Sequence, residues 1–352
     1  MKQYKNNNLN VKVSSILDYQ EYFNTISDNS QVFILCDENT KQCVNYLINN
    51  ISSLLNAEII QIESGEQSKD IDTLSNIWRI LSNNKARRDA VLINVGGGVI
   101  TDLGGFVAST YKRGISFINI PTSLLAMTDA SIGGKTGINL DNLKNQVGVF
   151  SLPTLVICDS YFLKTLDKNE FRSGFAEVIK HALAYDKDYW LYCTSQSIQK
   201  LDIDFIIKES IRIKSDIVIK DPEEKNLRKI LNLGHTTGHA LETYKLDKNP
   251  ILHGDAVAAG IIIESYISMQ TNLLSKLEFE EIQQFILNEF PKIEINKNDI
   301  PILLNLMRND KKNNSNEINF TLLSSIGKAE INKYIDEYII EKAISYYIDI
   351  SL

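Results

Sequence analysis

AVLINVGGGVITDLGGFVAS, residues 90–109, decides how this chain is read. An apolar run ends at Val95, three glycines follow at Gly96, Gly97 and Gly98, and a helical pattern begins at once. Strand, glycine turn and helix in that order is the repeating unit of an α/β layer. The same alternation extends to both sides. VFILC (32–36), EIIQI (58–62) and ISFINI (115–120) read as strands, 70–84 and 101–110 as helices, and TLVIC (154–158) as a last strand. Beyond about residue 160 the period changes. Residues 169–184, 204–220, 236–246, 255–273 and 278–289 carry helical spacing, and only INFTLLSSIG (318–327) looks extended. The expectation is an α/β domain with a substantially parallel sheet over 1–160 and a mainly α-helical domain over 161–352. Ligands favour clefts between domains, so both halves are expected to supply chemistry.

Composition narrows the function. The chain has 352 residues, 43% hydrophobic and 23% charged, as in an ordinary globular protein. Thirty-seven basic against 44 acidic residues leave a net charge of −7, which argues against a nucleic-acid binder. The four cysteines, Cys36, Cys43, Cys158 and Cys193, form no C-x-x-C pair, and a disulfide framework is not expected. No uninterrupted apolar stretch reaches the roughly 18 residues of a membrane span, and the first residues lack the apolar core of a signal peptide. A cytoplasmic protein without a membrane partner is expected.

Three sets of residues carry chemistry. The glycine turn lets backbone approach a phosphate at a helix start, although Thr101 stands where the dinucleotide fingerprint has its third glycine. Read alone, it serves nucleotide binding or merely a tight turn. Asp37 after VFILC and Glu66 and Lys69 in ESGEQSK (63–69) add polar groups where an open α/β site needs them. Secondly, only four histidines are present, and three fall in LNLGHTTGHALE and LHGD. His235 and His239 are one helical turn apart, His253 is close by, and Glu177 in SGFAEVIKH is an apolar-flanked carboxylate. Such a set suits a zinc site, with His239 either a ligand or an acid/base group. The fourth, His181, reads as packing behind Glu177. Thirdly, Arg113, Lys135, Lys144, Lys180, Lys214, Arg228, Lys311 and Lys312 lie beside glycines, asparagines or apolar runs, a pattern suited to a small anion.

With these residues assembled, the chain resembles the sugar phosphate cyclases, and among them the dehydroquinate synthases. The resemblance spans roughly residues 30–330. It rests on GGGVITDLGGFVASTYKRG (96–114), IPTSLLAMTDASIGGKTGIN (120–139), LKNQVGVF (143–150), FRSGFAEVIKHAL (171–183), RKILNLGHTTGHALE (228–242) and LHGDAVAAG (252–260). It implies an α/β N-terminal NAD-binding domain with a mainly α-helical C-terminal metal-binding domain, in a homodimer. It implies zinc, or cobalt, on Glu177, His235 and His253, which leaves His239 on the substrate side. The NAD site would take Asp37, Asn39, Glu66 and Lys69, the turn Gly97, Gly98, Val99, Ile100, Thr101 and Asp102, and Thr122, Ser123, Lys135, Lys144, Phe162 and Thr165. Substrate and catalytic positions would be Arg113, Asp129, Lys135, Asn145, Lys180 and Lys214, then Glu224, Arg228, Asn232 and His239. In NDKK, either Lys311 or Lys312 would join them. Two departures stand out: Ser123 replaces a frequent threonine, and DNLKNQVG lacks the glycine that often precedes the Lys-Asn pair.

The implied reaction turns 3-deoxy-D-arabino-heptulosonate 7-phosphate into 3-dehydroquinate and phosphate, the second step of the shikimate pathway. It runs through transient NAD-mediated oxidation, β-elimination, reduction, ring opening and aldol closure. Cyclases that make an inosose or valiolone are the nearest rivals, but their substrates lack the carboxylate that Lys214, Arg228, Asn232 and NDKK suit. A metal-dependent polyol dehydrogenase would not need so many cations. A non-enzymatic scaffold would have lost ligands that are all present here.

Overall fold

The computed structural model describes residues 9–141, 143–246, 249–308 and 318–351. The chain forms two compact units, residues 1–167 with 203–215, and residues 168–202 with 216–352.

The first unit contains β1 (Val11–Val13), α1 (Gln20–Asn29), β2 (Val32–Asp37), α2 (Lys41–Asn50), β3 (Glu58–Ile62), α3 (Ile71–Asn83), β4 (Val91–Gly96), α4 (Gly98–Thr110) and β5 (Ser116–Pro121). It continues with β6 (Lys135–Leu140), β7 (Leu143–Phe150) and β8 (Leu155–Cys158). Six strands pair in the order β1-β8-β5-β4-β2-β3, every pair parallel. Strands β2 and β4 sit inside the sheet, covered on both faces, and this is why they read as continuous apolar runs. From β2 the chain moves outward to β3; from β4 it moves the other way, to β5. The order therefore reverses between β2 and β4, and open α/β sheets bind ligands beyond the carboxyl ends of strands at such a point. Helix α3 starts at Asp70, whose carboxylate accepts from the Thr73 N–H at 2.8 Å. It buries Leu74, Ile77 and Leu81 along one face, in a core with Leu35, Leu92, Leu103 and Val107. A Cβ at Gly104 would fall 1.9 Å from the Asn94 side chain, so α4 lies directly on β4.

The second unit holds α5 (Lys168–Tyr185), α6 (Lys187–Thr194), and the end of α7 (Ile203–Lys220), whose residues 203–215 group with the first unit. Then come α8 (His235–Lys245), α9 (His253–Gln270), α10 (Lys276–Glu289), α11 (Ile300–Arg308), the hairpin β9 (Ile318–Ser325) and β10 (Lys328–Ile335), and α12 (Glu337–Asp349). Helix α9 is the core of this unit: it is buried from Gly254 to Ser268 and packs against α5, α8, α10, α12 and β9.

A parallel α/β sheet followed by a mainly helical region is as expected. The expectation that 318–327 is the only extended segment of the second half is corrected by β10, whose lysines and partly exposed surface conceal its strand period. The antiparallel hairpin β6–β7 lies between the expected strands 115–120 and 154–158, where sequence reading places no strand.

Candidate active site

Polar residues cluster where the parallel strands end. The carboxyl end of β2 leads to Asp37, whose Oδ1 accepts from the Thr40 N–H and hydroxyl, both at 2.9 Å, and then to exposed Asn39. That of β3 leads to Glu66 and Lys69, of β4 to Gly97, of β5 to Thr122 and Ser123, and of β8 to the short helical turn Ser160–Thr165. Because the strands are parallel, these five segments share one edge of the sheet. Gly97 is the N-cap of α4 and carries no capping side chain, so the first-turn N–H groups of Gly98, Val99 and Ile100 point out of the helix start. The turn needs glycine for space: a Cβ at Gly96 would come within 2.5 Å of Ile100, while φ stays negative at Gly97. A Cβ at Gly97 would lie 3.4 Å from the Ser123 hydroxyl. Thr101 is buried and bonds the Gly98 carbonyl at 3.1 Å, so the missing third glycine is filled by a helical threonine. Phe162 is buried and packs edge-on against Tyr46, and the Thr165 hydroxyl bonds its carbonyl at 3.3 Å.

Lys69 organises this edge. It is 3% exposed, and its Nζ donates to Asp102 Oδ2 and Asn145 Oδ1, each at 2.6 Å. Burial works against its charge, but Asp102 and Glu66 outweigh that and hold the ammonium above the usual lysine range. Burial also pushes the Asp102 carboxyl up, against the pull of Lys69; at 2.6 Å we read the two as an ion pair. Asn139 ties the network together. Its side chain donates to Glu66 Oε1 at 2.9 Å and accepts from the Asn145 N–H at 2.8 Å. Lys135 and Lys144 are exposed on the hairpin. Lys214 pairs with Asp129 Oδ1 at 2.7 Å. Arg113 is exposed, on left-handed backbone with φ 69°.

In the second unit, α5, α8 and α9 bring Glu177, His235 and His253 together. Glu177 Oε1 is 3.7 Å from His235 Nε2 and 3.5 Å from His253 Nε2. These separations are long for hydrogen bonds. They lie near the separations of ligand atoms around one small ion: bonds of about 2.0–2.1 Å give tetrahedral edges of about 3.3–3.5 Å, and the His235 separation is slightly wider. Each ring is held from behind: His235 Nδ1 is 3.1 Å from the Leu233 carbonyl, and His253 Nδ1 is 3.1 Å from Glu242 Oε2. Carbonyl and carboxylate oxygens only accept, so both Nδ1 atoms carry hydrogen and both Nε2 atoms face the carboxylate. Burial and the Lys180 ammonium hold His235 well below the usual imidazole range, in the neutral form that ligates. Burial opposes a charge on His253, but Glu242 and Glu177 push its pKa up to about 10; the spot attracts positive charge. The donor set therefore fits a divalent cation. His239 lies one turn from His235, with ring centroids 5.2 Å apart, outside the three-ligand group. Lys180, 2% exposed, is ion-paired with Glu177, and His181 is fully buried.

The loop after α7 is built on Asp221. Its carboxylate accepts from the backbone N–H groups of Lys225, Asn226 and Arg228 at 3.0, 2.7 and 3.0 Å. Arg228 is 3% exposed and donates to the Pro222 carbonyl at 2.8 Å. Asn232 donates to Glu224 Oε1 at 2.8 Å. Lys311 and Lys312 lie outside the described residues. Sequence reading passed over Asn139, Asp221, Glu242 and Glu264. The first and third stand inside the quoted motifs, but only tertiary contact gives them work.

Together, a topological switch point with an uncapped glycine turn and a Glu–His–His cluster among helices define a class, the two-unit enzymes that combine a nucleotide site with a metal site. The comparisons narrow the class. The description "3-dehydroquinate synthase N-terminal" matches residues 59–173, and "3-dehydroquinate synthase C-terminal" matches 174–313. A 3-dehydroquinate synthase of Parabacteroides distasonis is 41% identical over 321 residues, 90% of this chain and 91% of the relative. One of Campylobacter jejuni is 38% identical over 331 residues, 89% and 92% of the two chains. The chain belongs to the 3-dehydroquinate synthase family, lyases that cleave a carbon–oxygen bond to phosphate. Among solved structures, a 2-deoxy-scyllo-inosose synthase, crystallised with carbaglucose-6-phosphate, NAD+ and Co2+, superposes with TM-score 0.82 over 96% of both chains at 23% identity. A 2-epi-5-epi-valiolone synthase of Streptomyces hygroscopicus, with NAD+ and Zn2+, gives 0.83 over 97% of this chain and 96% of the other at 22%. A probable glycerol dehydrogenase of Sinorhizobium meliloti gives 0.64 at 13%, covering 96% and 95%. At these identities the structural likeness speaks for the fold. Among the described residues, no helix is long and apolar enough to cross a membrane.

Proposed function

We propose that this chain converts 3-deoxy-D-arabino-heptulosonate 7-phosphate into 3-dehydroquinate and phosphate, with NAD on the first unit and zinc, or cobalt, on the second. The observation that carries the reading is the convergence of two tautomer-fixed imidazoles on the Glu177 carboxylate. When bound, NAD would supply a hydride acceptor and return the same hydride, and the metal ion would polarise the substrate's hydroxyl oxygen. Between those two hydride transfers, phosphate leaves by β-elimination from the carbon next to the acidified C–H. Ring opening and an intramolecular aldol addition follow, with no net redox change.

The remaining roles belong to side chains. The α4 start and the Lys69 network would receive the pyrophosphate and ribose, with Asp37, Asn39, Thr122, Ser123, Lys144, Phe162 and Thr165 around them. Arg228, set rigidly by Asp221, would hold the substrate carboxylate together with neighbouring cations. Lys135, Asn145 and Lys311 or Lys312 would contact phosphate or carboxylate, with Arg113 a further cation. Lys180 and Lys214 would orient hydroxyls near the metal, with Asp129, Glu224 and Asn232 supporting. His239, beside the ligand group yet outside it, would carry a proton. The substrate's own phosphate can accept the proton lost in elimination.

We further assign the protein to the cytoplasm, as a homodimer. Strand β7 supports the dimer: all eight residues are exposed, with Leu143 at 57%, Val147 at 40% and Phe150 at 43%. An exposed edge strand without proline, carrying exposed Leu143, Val147, Val149 and Phe150, is a template for pairing. A second copy antiparallel about Val147 would set Lys144 opposite Phe150, avoiding like charges. The test is an assay with catalytic NAD+, zinc and the heptulosonate phosphate. Phosphate and 3-dehydroquinate in equal amounts, without NADH accumulation, are expected. A metal-loaded protein that releases no phosphate would refute the reading.

A further inference from the structure

Two carboxylates outside the three-ligand group stand behind the Glu–His–His cluster. Glu264, on α9, is 0% exposed. It accepts from the Gly234 N–H at 2.6 Å and the Thr237 N–H at 3.1 Å. Those are the N-cap and N3 positions of α8, the helix that opens with His235. In a capping box, two side chains of the helix itself satisfy these two donors. Here Gly234 has no side chain to offer, and one carboxylate from the neighbouring helix serves both. Glycine is required there: φ is +78°, and the Gly234 carbonyl lies so near α9 that a Cβ on Gly260 would meet it at 2.0 Å. His235 thus sits between two braced N–H groups, with its Nδ1 tied to Leu233 on the same turn.

Glu242 mirrors this arrangement. It stands on α8, is 8% exposed, and accepts from Nδ1 of His253, the first residue of α9. We infer that Glu242 and Glu264 are positioning residues that form a reciprocal brace, each carried by the helix of one metal-binding histidine and aligning the histidine of the other. An anion at each helix start also suits the positive end of its dipole. The metal geometry then depends on the relation of α8 to α9: His253 cannot turn away from Glu177 without losing its bond to α8, and the turn that carries His235 cannot shift without losing its two N–H bonds to α9.

The inference rests on the metal site proposed above, and one set of titrations separates the two. The full chain is stripped of metal, titrated with Zn2+ against a chromophoric chelator, and loaded with Co2+ for its visible absorption. Glu242→Ala and Glu264→Gln are expected to weaken zinc binding by about 10- to 100-fold and to alter the cobalt bands. Glu242→Gln keeps an oxygen that accepts from Nδ1 and should recover most of the affinity. Ser275→Ala removes the capping box of α10 and should lower the unfolding temperature with metal binding unchanged. The brace is overturned if Glu242→Ala and Glu264→Gln bind zinc within about twofold of wild type with unaltered cobalt bands. It is equally overturned if Ser275→Ala costs as much affinity. Should Glu264→Gln fail to fold, the Glu242 pair, nearer the surface, decides. A wild-type chain that binds neither ion removes the metal site itself.

Discussion

Glu177 is 1% exposed, ion-paired to Lys180 and turned toward two imidazole nitrogens, so its charge serves several partners at once. Glu177→Gln keeps the shape and removes the charge. Metal affinity and turnover should fall together, by at least on the order of 100-fold, as read by metal content and phosphate release. Stability should fall by about 3–5 kcal/mol in chemical denaturation, because the buried ion pair with Lys180 is broken. Asp221 does comparable work for Arg228. Burial raises its carboxyl, but three backbone N–H bonds outweigh that and hold it below the usual aspartate range. A depressed folded pKa means the stabilisation is present above the unfolded value of about 3.9 and is lost as pH falls through the lower folded value. Asp221→Asn should cost about 1–3 kcal/mol near pH 7, and the difference from wild type should shrink in the acid range below about pH 4. Because the loop presents Arg228, the variant's KM should rise more than its kcat falls.

Helices α8 and α9 meet backbone to backbone at Gly234 and Gly260. A methyl group at Gly260 would sit 2.0 Å from a carbonyl oxygen that is itself held by the turn. Gly260→Ala should therefore destabilise by about 1–3 kcal/mol or more, and should weaken zinc binding without touching a ligand. Calorimetry and chelator competition would check both. Elements of this kind were legible in part. Strands β2, β4 and β5 announce themselves as short apolar runs buried on both faces, and helices α3 and α5 by a helical period that a dozen or more residues display. Strand β1 has three residues, too few for any period. The hairpin β6–β7 is exposed along its whole outer strand, so no apolar alternation marks it.

Edges and interfaces belong to the molecule as a whole. Val147→Lys places a charge in the middle of the open β7 edge without altering a proposed ligand-binding side chain. Sedimentation should show monomers where wild type forms dimers; wild-type monomers at micromolar concentration would remove the dimer from the proposal. What sequence alone determined is the α/β-then-helical order and the donor types of the site, since period and residue chemistry are local properties. Three histidines in a chain with four, beside LNLG and LHGD, already named the metal chemistry. Only tertiary structure decided that Glu177, His235 and His253 come within reach of one another, that the sheet reverses between β2 and β4, and that Glu264 caps α8. Each of these depends on which segments, tens of residues apart, come within a few ångströms of each other, and that is settled by packing the whole core rather than by any one stretch of chain.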